Sequence, residues 1–388
     1  MSEPSGDVVE QGREPGGAGS RNSVRVVVLV ILIAAVGLAL SRSGLLSADA
    51  PIRKNGGPSP AGPTAPRAEG LVARYEDHLV TAGQDDVAAG ARLPDGFPSD
   101  AALVPVVTGA GAGIVLGAHH GNLVRVAPKR TARWQPIGRA DRVVAPAAAP
   151  GRALVLRSGD VVEVEVGAGA VVQPSPFPGF DAAAGWEPEG VVSALGTRPL
   201  LMSRISTDGP ARELALAWPL RRVQAETEPA VQVLGTFGPL VGIAEDWVLT
   251  TSGTCPGPSC RVRIASVTRD AVLARDVAPP PGWVFGDPRS DGGSHGPLVP
   301  VSRPGDGAVG LARLVAGGDN ALLVEGTTGV DLDAGFAVDL DGSVYFLTGA
   351  SESEPARLRL WQPDQLGGAV DVRDGALPDG ARLVCVCG

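Results

Sequence analysis

The sequence predicts an all-β fold assembled from a repeated four-stranded unit. Three observations predict it: a turn-rich, ring-poor composition, short apolar runs at near-constant spacing, and period-2 alternation inside those runs. Glycine and proline supply 54 and 35 of the 388 residues, while aromatic residues reach only 4%. That balance disfavours helical bundles and coiled coils and favours short strands joined by turns. Hydrophobic residues make up 44%, enough for one large core or two ordinary ones. The net charge of −9 excludes a general nucleic-acid binder, because no basic surplus exists to neutralise phosphates. Arginine outnumbers lysine 31 to 2, which reads as the codon bias of a GC-rich genome.

The amino-terminal part divides into three segments. Residues 1–23 are Gly, Ser, Glu and Pro without periodicity, the composition of a disordered cytoplasmic tail. Residues 24–46 form the expected transmembrane signal-anchor helix, centred on the uncharged run Val26–Leu40 between Arg25 and Arg42. Fifteen helical residues rise about 22 Å, and snorkelling arginines with flanking Val24, Leu45 and Leu46 extend them toward the ~30 Å hydrocarbon core. A cleavable signal peptide is the rival reading; Ala48-Asp49-Ala50 has the small-x-small pattern, but Pro51 obstructs cleavage after it. Residues 47–70, with Pro51, Pro58, Pro60, Pro63 and Pro66, read as a semi-extended linker. Flanking positive charge nearly ties. The cysteine pairs favour an oxidising compartment, so the amino terminus is expected inside and residues 71–388 outside: a single-pass protein of the cell membrane.

Past residue 100 the repeat becomes visible. The second strand of each unit starts at Ile114, Ala153, Pro199, Trp247, Pro297 and Val344, at intervals of 39, 46, 48, 50 and 47 residues. Each is preceded by another apolar stretch: Leu103–Val107, Arg142–Ala145, Val191–Leu195, Leu240–Ala244, Trp283–Phe285 and Gly335–Val338. A third, alternating segment follows, seen best in Val161-Val-Glu-Val-Glu-Val166 and Arg357-Leu-Arg-Leu-Trp361, the pattern of half-buried antiparallel strands. A weaker fourth strand is expected at Ala132–Ile137, Ala170–Gln173, Arg222–Ala225, Val272–Val277, Ala321–Glu325 and Val370–Val372. Turn pairs such as Gly159-Asp160, Asp306-Gly307 and Asp341-Gly342 punctuate them. Four strands per unit and about six units describe a β-propeller, six blades fitting better than seven; an array of two-sheet sandwiches is the structural rival. Leu79–Val80 and Leu383–Cys387 stay unassigned and could close the ring or begin a seventh blade.

Over residues 100–388 the chain resembles the broad WD-repeat, NHL and quinoprotein-like propeller superfamily. The resemblance rests on generic strand-turn-strand tags, His120-Gly-Asn-Leu-Val-Arg-Val126 and Leu340-Asp-Gly-Ser-Val-Tyr-Phe346. The Trp-Asp and Gly-His signatures of true WD repeats are absent, so no subfamily follows. The resemblance implies either a binding module or an enzyme (a hydrolase, lactonase or dehydrogenase) whose catalytic residues come from separate blades.

Cys255 and Cys260 bracket a four-residue hairpin loop and stand within disulfide reach. Cys385 and Cys387 share one face of a strand near the upper limit for bridging, so a bent bridge and two free thiols are both open. A four-cysteine zinc site fits no standard ligand spacing. Little else suggests assembled chemistry: no nucleophile elbow or phosphate-cradling glycine loop is present. Asp331, Asp333, Asp339 and Asp341 only faintly resemble a calcium loop. No residue is therefore assigned as catalytic, metal-ligating or cofactor-binding, and no cofactor is expected. The tryptophans read as wedges between blades, and Arg221-Arg222 as solvated surface. Loop-face residues His119, His120, Asp291 and His295 are the candidates for contact with a protein or cell-envelope partner. The expected function is a membrane-tethered, extracytoplasmic binding or scaffolding module.

Overall fold

A computed structural model describes residues 70–387 apart from the short segments 83–89, 99–100, 109–112, 128–132, 207–210, 226–229, 245, 256, 268–271, 287–290, 294–295, 316, 340, 350–355, 364–367 and 373–376. The tail, the apolar segment Val26–Leu40 and the proline-rich linker lie outside the described residues. Among the described residues no helix is long and apolar enough to cross a membrane.

Among the described residues twenty-nine strands form seven antiparallel sheets arranged as a propeller. In chain order β1 (Leu71–Tyr75), β2 (His78–Thr81) and β3 (Ala91–Arg92) come first. The first complete blade holds β4 (Val104–Val107), β5 (Gly113–His119), β6 (Asn122–Val126) and β7 (Gln135–Arg139). The second holds β8 (Arg142–Pro146), β9 (Arg152–Arg157), β10 (Asp160–Glu165) and β11 (Val171–Gln173). The third comprises β12 (Glu187–Val191), β13 (Leu200–Ile205), β14 (Arg212–Ala217) and β15 (Val231–Phe237), with helix α1 (Leu220–Ala225) between its last two strands. The fourth comprises β16 (Leu240–Ala244), β17 (Trp247–Ser252), β18 (Arg261–Val267) and β19 (Val272–Val277). In the fifth, β20 (Val284–Phe285) and β21 (Asp291–Gly293) both pair with β22 (Gly296–Ser302), followed by β23 (Val309–Arg313) and β24 (Leu322–Leu323). The sixth holds β25 (Phe336–Val338), β26 (Val344–Thr348), β27 (Arg357–Trp361) and β28 (Val370–Asp371). Last, β29 (Arg382–Val386) pairs with β1, so the two ends of the ring build one blade in the order β29-β1-β2-β3.

The ring thus has seven blades rather than six. The seventh does not show in the linear repeat, because its inner strand is separated from the other three by the whole of the intervening ring. The unassigned segments around Leu79–Val80 and Leu383–Cys387 supply it. Ring closure removes the open edges that a linear stack of sheets would expose.

Period-2 burial explains why these residues make blades. In β27 Leu358 and Leu360 are buried while Arg357 faces outward. Blade faces then pack against their neighbours, and one apolar core fills each of the seven interfaces. Val106, Leu116, Val143 and Val155 join the first and second blades. Leu154, Val161, Leu200 and Met202 join the second and third, and Leu201, Leu216, Val248 and Ala265 the third and fourth. Leu249, Ile264, Phe285 and Val299 lie between the fourth and fifth, and Leu298, Leu311, Val344 and Phe346 between the fifth and sixth. Leu71, Tyr345, Leu358 and Leu360 attach the seventh blade on one side, and Val72, Leu79, Val115 and Val124 on the other. Tryptophans act as wedges in this scheme: Trp186, Trp218 and Trp283 each sit within an inter-blade core.

Two strand assignments shift. Arg222–Ala225 belongs to α1 rather than to a fourth strand, and the outer strand of the third blade is β15. Pro219 starts the helix, its carbonyl accepting from the amides of Arg222 at 2.9 Å and Val223 at 3.2 Å. The inner strand of the third blade lies at Glu187–Val191, ahead of the expected Val191–Leu195, because Ala194–Thr197 closes a two-residue turn. Its Pro188 and Gly190, poor strand formers, hid it from pattern reading.

Candidate functional site

A groove of about 600 Å³ opens between the second and third blades. That volume lies inside the range of small-molecule sites. One wall is the β8–β9 turn, Pro146–Ala148, with Leu154 behind it. The other is the Ala194–Thr197 turn with Arg198, together with the start of α1. Pro176 and Phe177, on the connection between the two blades, are buried and give the groove an apolar floor.

Local hydrogen bonds set these walls. The Leu220 amide donates to the Pro176 carbonyl at 2.9 Å, tying α1 to the inter-blade connection. In the Ala194–Thr197 turn Leu195 and Gly196 both take positive φ (51° and 73°), as a two-residue primed turn demands. Thr197 Oγ1 donates to the Ala194 carbonyl at 2.9 Å and fixes the turn that precedes Arg198.

Four charged side chains line the groove: Glu163, Arg198, Arg221 and Arg222. The carboxylate of Glu163 is held by Arg152 Nη1 at 3.0 Å. Arg222 is only 8% exposed and its guanidinium stacks over the Trp218 ring, 3.8 Å from the centroid. Arg198 and Arg221 are exposed, and neither has a hydrogen-bond or ion-pair partner among the described residues. The groove therefore carries a cationic rim on an acidic protein, above an apolar floor. Arg221-Arg222 was expected on the solvated surface; the burial of Arg222 corrects this. The available signal was Trp218 four residues earlier, at the end of a strand leading into a proline-started turn.

The loop-face candidates do not gather at this groove. His119 ends β5 and His120 begins the turn to β6, with their rings 3.9 Å apart. His119 Nε2 lies 3.0 Å from the Asp95 carbonyl oxygen and donates to it, and the Phe97 ring is 5.5 Å away. His120 and Gly121 take φ of 48° and 73°, so the pair serves as a primed hairpin turn. Asp291 begins β21, between the first and second strands of the fifth blade. Antiparallel succession puts that connection on the face opposite the β5–β6 turn. His295 lies outside the described residues.

Both cysteine pairs are disulfides. Cys255–Cys260 spans the β17–β18 hairpin with Cα atoms 4.7 Å apart. Cys385–Cys387 brings its Cα atoms to 5.6 Å, against about 6.6 Å for the same spacing in a straight strand. The β1–β29 register also skips just before this pair, between Val72 and Ala73, leaving Val384 without a partner in the ladder. Asp331 and Asp341 cap turns, accepting from the amides of Asp333 at 3.0 Å and Ser343 at 2.8 Å. Among the described residues no three His, Cys, Asp or Glu side chains come together as a metal site.

A second polar cluster sits inside the third blade. Ser203 Oγ, fully buried, donates to Glu189 and accepts from Arg212 Nη1 at 2.9 Å. Glu189 occupies the register skip of β12, and Arg204 pairs with Glu213 at 2.6 Å while covering the Trp186 ring. With its hydroxyl engaged twice and sealed from solvent, Ser203 holds the inner strands together.

The fold itself is that of the β-propellers. An oligogalacturonate lyase from Vibrio parahaemolyticus is similar at 10% identity and a TM-score of 0.46, over 81% of this chain and 83% of that one. The β-propeller domain of the Trilobed protease from Pyrococcus furiosus is similar at 10% identity and a TM-score of 0.34, over 71% and 72%. A six-bladed fucose-recognising lectin from Aleuria aurantia is similar at 10% identity and a TM-score of 0.33, over 74% and 100%. At these identities the likeness extends to the fold alone. No protein-family model and no curated protein matches the chain.

Proposed function

We propose that this protein is a membrane-tethered propeller of the cell envelope, held by the segment 24–46 with its ring outside, that acts as a binding or scaffolding module. The observation that carries the binding role is the groove between the second and third blades: an apolar floor bounded by arginines in a cavity of about 600 Å³. Concave apolar surface with a few convergent polar groups is the usual form of a ligand site. Tethering is supported by the uncharged run Val26–Leu40 between Arg25 and Arg42, followed by a proline-rich stalk. The extracytoplasmic side is supported by the two disulfides, which persist in oxidising compartments.

Fractionation of cells expressing the full chain tests the reading. The protein is expected in the membrane pellet after alkaline carbonate extraction, with its ring digestible by protease added to spheroplasts. Release into the carbonate supernatant, or protection of the ring from external protease, would overturn it.

A further inference from the structure

We infer that the groove between the second and third blades binds an organic carboxylate with an apolar body, its acid group taken by Arg198 and Arg221. The inference rests on the reading of that groove as the ligand site and adds the chemical class of the ligand. Three guanidinium groups line the groove and one carboxylate, Glu163, which Arg152 already holds at 3.0 Å. The field inside is therefore positive, although the whole chain carries −9. Arg222, stacked on Trp218 and 8% exposed, contributes a charge locked in place. Arg198 and Arg221 reach the groove from two elements of the third-blade wall, a turn and a helix, without partners among the described residues. Guanidinium forks match the planar carboxylate and retain their charge at any physiological pH. Below them Phe177, Leu154 and Leu220 offer apolar surface that would cover a hydrocarbon or aromatic body. A compact inorganic anion would leave that floor unused, and a cation would meet three like charges.

Ligand-detected NMR titration of the full chain in nanodiscs tests this with three probes of one shape: 4-phenylbutyrate, its amide and 4-phenylbutylamine. The acid is expected to bind roughly tenfold or more tightly than the amide, as a charge-assisted contact should, with no binding of the amine. Arg198→Ala with Arg221→Ala is expected to remove that advantage, while Arg303→Ala on the fifth blade leaves it intact. A lysine pair at 198 and 221 keeps the charge without the fork, and intermediate affinity is expected. Equal binding of acid and amide, competing for the same groove, would overturn the carboxylate inference and leave the groove as a ligand site. Failure of all three probes up to about 20 mM, beyond millimolar affinity, would overturn both.

Discussion

The seventh blade makes the ring depend on two segments at opposite ends of the domain, and a cross-link across that seam tests the closure. Arg74 of β1 and Arg382 of β29 are directly opposite in the ladder, so their Cα atoms fall within the span a disulfide bridges. Replacing both by cysteine closes a loop of roughly 300 residues, for which chain entropy gives between about 5 and 6 kcal/mol of stabilisation. Engineered bridges deliver less than this ceiling, so about 2 kcal/mol is the smallest gain expected. In a ring of this size that corresponds to a rise of about 3 °C or more in Tm. The comparison is the Arg74→Ser, Arg382→Ser protein under the same oxidising conditions. This cancels loss of the Arg74 contact to the Pro98 carbonyl at 2.9 Å. Peptide mapping must show 74 joined to 382, because Cys385 and Cys387 lie close by. If the bridge forms only between molecules, β29 does not clasp β1 and the seven-bladed closure is wrong.

Three further outcomes follow from the packing. A Cβ added at Gly113 would stand 2.4 Å from the Cys387 carbonyl oxygen, so Gly113→Val is expected to lose about 2 kcal/mol or more in urea unfolding; a neutral result would separate the first blade from the closing strand. Arg125 donates from Nη1 to the Val166 carbonyl of the next blade at 2.9 Å and from Nη2 to Gln135 at 3.1 Å. Lysine cannot span both, and Arg125→Lys should cost about 1 kcal/mol, an unchanged midpoint counting against arginine bridging between blades. Burial, reinforced by the negative charges of Asp339 and Asp341, raises the Tyr345 phenol above its ordinary range. A raised acid contributes its stability below the unfolded phenol pKa of about 10, and that stability is lost as pH rises through the folded value. In a Tyr75→Phe protein, tyrosinate absorbance should therefore appear only above about pH 10; ionisation at or below that pH contradicts the placement of Tyr345.

Much of the ring was legible because blade geometry imposes a linear rhythm. The second and third strands of the six recognised blades lie where alternation and spacing put them, from β5 and β6 to β26 and β27. These central strands are paired on both sides and packed on both faces, so their residues carry the strongest pattern. Outer and inner strands were harder. β12 contains Pro188 and Gly190, and β20 and β21 share one edge of the fifth blade with a break between them. The seventh blade was illegible as a repeat because β29 follows β1 by most of the chain. No local rule pairs segments so far apart. The groove was hidden for a related reason. Its walls come from the turns at Pro146–Ala148 and Ala194–Thr197 and from α1, and only packing of two blades brings them together. Arginine abundance, read as composition, conceals specific work: Arg275 reaches the Val315 carbonyl of the next blade at 2.6 Å. Arg313 lies 4.5 Å from the Trp361 centroid across the fifth and sixth blades.

Function rests on where a ligand sits. The most direct measurement is a crystal structure of the propeller soaked with 4-phenylbutyrate. Density for the aromatic ring is expected against Phe177 and Leu220, with the carboxylate between Arg198 and Arg221. Density in the central channel, or beside His119 and His120 on the opposite face, with the groove empty at saturating probe, would contradict this placement.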